Sequence, residues 1–209
     1  LLNLLFFHIG TQSGDDISRI DGEGVSLTEL NAMERDEFVS SLRPLFNNET
    51  WPLEAAWESR PFDDVSRLRE AIQVAVLTAP REQRRALIHD YPAMDELLLA
   101  DATEAATISA DRGSLALDDL DDVQTQQLID VSRAYRERFD MPFVAYLDTN
   151  DSADRVIDGG VRRLANSDEL EQRVILSEII EIANDRFDIL LADANPVRAY
   201  WDRKFTEVE

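Results

Sequence analysis

Residues 118–147 read DDLDDVQTQQLIDVSRAYRERFDMPFVAYL, and this stretch contains both backbone types the chain uses. From Asp118 to Phe139, Leu120, Val123, Leu128, Val131 and Tyr135 recur at the spacing of one helix face, so a long amphipathic helix is predicted. The pattern stops at Asp140-Met141-Pro142, because a residue preceding proline is pushed out of the helical region. Phe143-Val144-Ala145-Tyr146-Leu147 then reads as the one extended piece in the chain.

Helical signals continue on both sides of this stretch. Towards the C-terminus, Ala153–Ala165 reads as a helix weakened by Gly159-Gly160. Asp168–Leu191 reads as a second long helix carrying Val174, Ile175, Ile179, Ile180 and Ile182, and Pro196 opens a short terminal one. Towards the N-terminus, Ser26-Leu27-Thr28-Glu29 has the form of a capping box. Leu27, Leu30, Met33 and Phe38 follow it at mostly helical spacing, and Val39, Leu42, Leu45 and Phe46 form a second stripe. Pro52 suits the first turn of a helix that Trp51 and Trp57 are expected to anchor, with Arg60-Pro61-Phe62 as its break. Val65, Leu68, Ile72, Val74, Ala75 and Leu77 mark a helix over Asp64–Thr78. Pro80 opens another helix, with Leu87 and Ile88 inward, which Pro92 ends near Tyr91. Met94–Leu117 is weakly patterned and reads as a short helix and a mobile loop. With no internal repeat and no strand-rich region, the expected fold is all-α. It is a single-domain bundle of roughly eight helices over residues 25–209, preceded by an extension and polar linker over residues 1–24.

Composition narrows the function. The 209 residues carry 43 acidic against 21 basic side chains, a formal charge of −22, and Lys204 is the sole lysine. The acids are dispersed along the chain, which points to a surface adapted to a salt-rich cytoplasm, with dissolved ions screening the repulsion. An acidic face for a basic partner is the competing reading. Nucleic acid is a poor partner, because phosphate contacts need a basic patch and none is visible. The absence of cysteine excludes disulfides and thiolate sites, and His8 and His89 alone do not have metal-site spacing. No stretch reaches the length of a membrane span. Leu1–Ile9 is apolar but lacks the charged start and cleavage site of a signal peptide, and the closing Thr-Glu-Val-Glu is not a peroxisomal address.

Three clusters are candidates for chemistry. His89-Asp90-Tyr91-Pro92 sits at a helix break and reads either as an acid–base site or as a surface histidine favoured by the helix dipole. Ser109-Ala110-Asp111-Arg112-Gly113 offers a carboxylate and a guanidinium, or is a solvated loop. Phe139–Val144 is an apolar strip that lines a pocket or simply fills the core.

In order and spacing, these pieces resemble the OHCU decarboxylase family, the 2-oxo-4-hydroxy-4-carboxy-5-ureidoimidazoline decarboxylases of urate breakdown. The resemblance runs from about Ser26 to Asp193. It rests on Leu27-Thr28-Glu29-Leu30-Asn31, Phe46, Trp51, Ala56-Trp57, Arg60-Pro61-Phe62, and Leu117 and Leu120 leading to Tyr135, Phe139 and Pro142-Phe143-Val144. Arg163-Leu164-Ala165-Asn166 and Glu178–Ala183 with Arg186 complete it. The family uses a His before a Pro, a Glu-Gln pair, and an Arg just after the Phe-Pro-Phe strip. At those places this chain carries Tyr91-Pro92, Asp111-Arg112 and Asp148.

The resemblance implies a homodimer that decarboxylates an anionic small molecule without metal or organic cofactor, giving (S)-allantoin. Tyr91 or His89 would then handle the proton and Asp111 would orient it. Arg112, Pro92, Phe143, Val144 and Asp148 would surround the substrate. A carboxylate in place of an arginine repels an anion by roughly several kcal/mol in a partly buried site, so Arg112, Arg155 or Arg162 would have to supply the positive charge. On a regular helix His89 and Tyr91 would point to nearly opposite faces. These departures also support a catalytically silent relative that serves as a binding or assembly module. A helical adaptor unrelated to the family is the third reading.

Overall fold

The computed structural model describes residues 24–99, 120–147 and 152–191. Its α-helices are α1 (Leu27–Ala32), α2 (Arg35–Leu42), α3 (Trp51–Trp57), α4 (Val65–Thr78), α5 (Arg81–His89), α6 (Met94–Leu99), α7 (Asp122–Phe139), α8 (Ala153–Arg163) and α9 (Asp168–Leu190). A 3₁₀ turn, Arg43–Leu45, follows α2. Among the described residues the single piece of β-pairing is a parallel bridge between Val25 and Leu191. The bundle is therefore all-α, as the periodicity predicts.

Local chemistry sets the helix ends. Ser26 and Glu29 close the predicted capping box, with the Glu29 carboxylate accepting from the Ser26 amide at 2.9 Å. Asp121 and Gln124 form a second box at the start of α7. Asp64, Ser152 and Ser167 cap α4, α8 and α9 through their side-chain oxygens. Each such cap stabilises its helix by about 1 kcal/mol. At its far end α7 stops where Asp140 turns left-handed, at φ 53°. The two N-terminal stripes are divided more finely than expected, because Met33 is extended and Glu34 restarts the chain as α2, with Pro44 inside the 3₁₀ turn.

Helix α9 is the shared wall of the bundle. Its buried side carries Ile175, Leu176, Ile179, Ile180, Ala183 and Phe187. Arg69 of α4 pairs with Asp188 and lies 4.5 Å from the Phe187 ring centroid. On the other flank, the Tyr135 hydroxyl of α7 donates to Glu171 at 2.6 Å. Tyr135 is fully buried and packs its ring 5.1 Å from Phe139 and 4.8 Å from Phe143.

One expected apolar-face position, Val123, is corrected, and two of the residues that mark α4 turn outward. Val74 and Leu77 of α4 are 51% and 37% exposed, and Val123 of α7 is 65% exposed. The true α4 stripe is Leu68, Ile72 and Val76, at i, i+4 and i+8. Val74 and Leu77 belong to an uninterrupted apolar run, 74–77, which hides the phase of the helix. Trp51 and Trp57 are only partly buried, and Pro52, Leu53 and Ala56 fill the core beneath them. The Trp57 ring instead carries the Arg60 guanidinium at 4.2 Å from its centroid.

Candidate active site

The break after α5 separates His89 from Tyr91. Leu87 and Ile88 turn into the core, which leaves His89 on the exposed side and swings Tyr91 inward to 4% exposure. Asp90 fastens this turn to the segment before α3. Its carboxylate accepts from the Asn48 amide (2.6 Å), the Asn48 side-chain amide (2.5 Å) and the Glu49 amide (3.3 Å), and its carbonyl accepts from Asn47 Nδ2 (3.0 Å). Arg186 of α9 donates to Asn47 Oδ1 and to the Leu45 carbonyl, both at 3.1 Å, and its guanidinium lies 5.8 Å from the Tyr91 ring centroid. The Tyr91 hydroxyl is sealed from solvent, with Arg186 as its charged neighbour. Burial pushes it up to about 12, although the Arg186 charge pulls the other way. At neutral pH it is thus an uncharged donor. Burial also lowers the Arg186 guanidinium, against the opposing influence of Tyr91 and Asp90.

The apolar strip docks directly onto this turn. The Met94 amide at the start of α6 donates to the Phe143 carbonyl at 3.2 Å, which brings Tyr91-Pro92 beside Phe143-Val144. Pro92 is half-buried, and Phe143 and Val144 are buried. Helix α6 is held in turn by α7, where Asp95 accepts from Ser132 Oγ and from Arg136, both at 2.5 Å.

Behind the strip lies an ionic network. Arg163 sits over the faces of Tyr135 and Phe143, 5.5 and 5.2 Å from their centroids. It donates from Nε to Glu171 (2.9 Å) and from Nη1 to the Val144 carbonyl (3.0 Å) and Glu178 (3.4 Å). Glu171, with no exposed surface, also accepts from Tyr135 and from Asn166 Nδ2 at 2.7 Å. Glu178 accepts from the Tyr146 amide at 2.8 Å, and burial raises its carboxyl above the usual range. Burial raises the Tyr135 hydroxyl as well.

The structure thus joins Tyr91, Pro92, Phe143 and Val144, and it leaves His89 at the surface. Asp111, Arg112 and Asp148 lie outside the described residues. Arg155 and Arg162, the other candidate cations, are exposed on α8. The cations next to the joined stretches are Arg163 and Arg186, whose buried roles the sequence reading missed. A signal did exist: Glu171, Ile175 and Glu178 share one face of α9 at i, i+4 and i+7, so two carboxylates interrupt a buried stripe and require partners. Among the described residues no group of three His, Asp or Glu side chains is placed to hold a metal, and no helix is long and apolar enough to cross a membrane. An open cleft of about 220 Å³ belongs to other elements, lined by Arg35, Asp36, Val39, Ser40, Arg43 and Glu54.

The fold and this junction define an all-α bundle in which the X-Pro turn after α5 meets the Phe143-Val144 strip. Residues 31–188 match the family described as OHCU decarboxylase, and the chain belongs to it. It is 32% identical over 163 residues to the 2-oxo-4-hydroxy-4-carboxy-5-ureidoimidazoline decarboxylase of Haloferax volcanii, covering 78% of this chain and 94% of that one. It is 29% identical over 179 residues to the enzyme of the same name from Mus musculus, covering 83% and 98% respectively. A solved structure described as (S)-allantoin synthase superposes with a TM-score of 0.61 at 19% identity. The match covers 80% of this chain and 54% of that one, and it supports the fold.

Proposed function

We propose that the protein decarboxylates 2-oxo-4-hydroxy-4-carboxy-5-ureidoimidazoline to (S)-allantoin, using no metal or organic cofactor. The observation that carries this reading is the hydrogen bond from Met94 to Phe143, which puts the Tyr91-Pro92 turn against the Phe143-Val144 strip. Family membership and the names of the relatives from Haloferax volcanii and Mus musculus support the substrate.

The reaction breaks the bond between a ring carbon and its carboxylate. The electron pair stays on the ring, and a proton must be delivered to one face of it to give a product of one hand. In this reading Tyr91, held neutral by burial, donates a hydrogen bond or the proton itself; it does not act as a base. Asp111 orients the donor, Arg112 attracts the substrate carboxylate, and Pro92, Phe143 and Val144 form an apolar wall that keeps water off the carbanion. Asp148, at the family's arginine position in the sequence, would repel the substrate anion, so Arg112 has to outweigh it. His89, exposed at the end of α5, is the alternative proton carrier. Dimerisation and a salt-rich cytoplasm belong to the same proposal, and sedimentation in concentrated KCl tests the former.

One observation favours a second reading, a relative that keeps the fold as a binding or assembly module: Tyr91 is only 4% exposed, so a substrate would need the turn to open. A coupled assay in high salt decides between them. Urate oxidase and hydroxyisourate hydrolase generate the short-lived substrate, and circular dichroism follows chiral product. The decarboxylase reading expects faster appearance of one enantiomer with the protein, loss of that acceleration in Tyr91→Phe and its retention in His89→Ala. Identical traces with and without protein leave the module.

A further inference from the structure

The strip 143–147 lies outside every helix and pairs with no strand among the described residues, where the one β-bridge is Val25 with Leu191. In extended chain, the carbonyl of one residue and the amide two residues later point to the same edge. On one edge of this strip, both groups are taken by a single ion pair. Arg163 Nη1 donates to the Val144 carbonyl at 3.0 Å, and the Tyr146 amide donates to Glu178 Oε2 at 2.8 Å. Arg163 and Glu178 are linked to each other at 3.4 Å. The opposite edge is held by Met94 at the Phe143 carbonyl. Arg163 is itself fixed by Glu171 and by the Tyr135 and Phe143 rings beneath it, so the grip is rigid. Its side chain is 13% exposed and that of Glu178 is 27% exposed, so both work largely out of water, where charge-assisted hydrogen bonds are strong.

We infer that Arg163 and Glu178 are positioning residues: together they hold the main chain of residues 144–146 in place opposite the Tyr91 turn. This rests on the reading of that turn and strip as the substrate site. The pair acts on the reaction through the wall it holds, and not through contact with the reacting atoms. Loosening it should therefore weaken substrate binding more than the chemical step.

The test compares Glu178→Ala, Glu178→Gln and Arg163→Lys with the wild-type chain in concentrated KCl, after thermal melts establish that each is folded. NMR reads hydrogen exchange at the Tyr146 amide, and the coupled assay reads kcat and KM. Loss of one charge-assisted hydrogen bond predicts Tyr146 exchange faster by about tenfold or more in Glu178→Ala, with KM raised about tenfold and kcat changed less than about twofold. Glu178→Gln keeps a carbonyl for the Tyr146 amide and should recover most of both losses. Should Glu178→Ala not fold, Arg163→Lys carries the same expectation, because one ammonium cannot span Val144, Glu171 and Glu178. Unchanged Tyr146 exchange in a folded variant overturns the grip. Faster exchange with unchanged KM reduces the pair to a purely structural role and overturns the inference. If the wild-type chain itself gives no turnover, the proposed reaction fails and takes the positioning role with it, while Tyr146 exchange still decides whether the pair grips the strip.

Discussion

A phenol at the Tyr91 turn separates two properties that an imidazole would combine. Its hydroxyl is buried beside the Arg186 guanidinium, which opposes the effect of burial on its ionisation. Tyr91→Phe keeps the buried ring and loses only the hydroxyl, so its stability in thermal melts should lie within about 1–2 kcal/mol of the wild type, while turnover drops by about 100-fold, the usual worth of a positioned acid. A lower melting temperature with full turnover would show that the hydroxyl is structural. The pH dependence of stability follows from the same burial. The folded hydroxyl is pushed up to about 12 from 10, so unfolded chains ionise first as pH rises. Stability is intact below pH 10 and falls through about pH 12, by on the order of 2 kcal/mol; Tyr91→Phe should flatten this decline in urea titrations at high pH. Arg163 is the opposite case. Arg163→Met would leave Glu171, which has no exposed surface, without its cation, and should cost about 3–5 kcal/mol in chemical denaturation. Tyr91 could be read from the chain because Pro92 marks the break beside it. Arg163 and Arg186 were less legible, since an arginine looks the same in sequence whether it faces solvent or a buried carboxylate; only folding supplies the partner.

At the scale of elements, caps and breaks were legible and phases less so. Ser26 with Glu29, Asp64 and Pro92 act locally, so the chain alone shows where α1, α4 and α5 begin or end. The inward face of α4 depends on what packs against it, and an apolar run at residues 74–77 carries no phase of its own. Gly159-Gly160 shows the same division. Propensity alone predicts that either glycine weakens α8. A methyl group at Gly159 would meet nothing within 4 Å, whereas at Gly160 it would sit 2.6 Å from Val131 Cγ1 and 2.9 Å from Phe143 Cζ. Gly159→Ala should stabilise the fold by up to about 1 kcal/mol. Gly160→Ala should destabilise it by about 1–3 kcal/mol, because the clash exceeds the gain in helix propensity. Paired thermal melts of the two variants check this, and equal shifts would contradict the close approach of α8 to α7 and the strip.

For the molecule as a whole, charge dominates behaviour in solution. A chain of 23.8 kDa with a formal charge of −22 repels itself in dilute buffer. Screening shortens from about 8 Å at physiological ionic strength to about 3 Å at 1 M salt. The melting temperature should therefore climb steadily between about 0.1 and 1 M KCl, most steeply at the low end. A flat profile in differential scanning calorimetry would mean that the excess carboxylates lie too far apart in the folded chain to repel one another appreciably. The all-α architecture was legible from periodicity, whereas the convergence of the Tyr91 turn, the strip and α9 was not, because contacts over such chain separations leave no periodic trace.

Asp140, the left-handed stop of α7, shows how far that acidity extends. Its side chain is 89% exposed and reaches Arg85 at 3.1 Å, on a backbone geometry where glycine is the least strained choice. A carboxylate thus sits at a helix stop where the main chain would rather have no side chain at all. Asp140 gives up backbone ease for a carboxylate that ties the end of α7 to α5, so the stop of one helix doubles as its fastening to another.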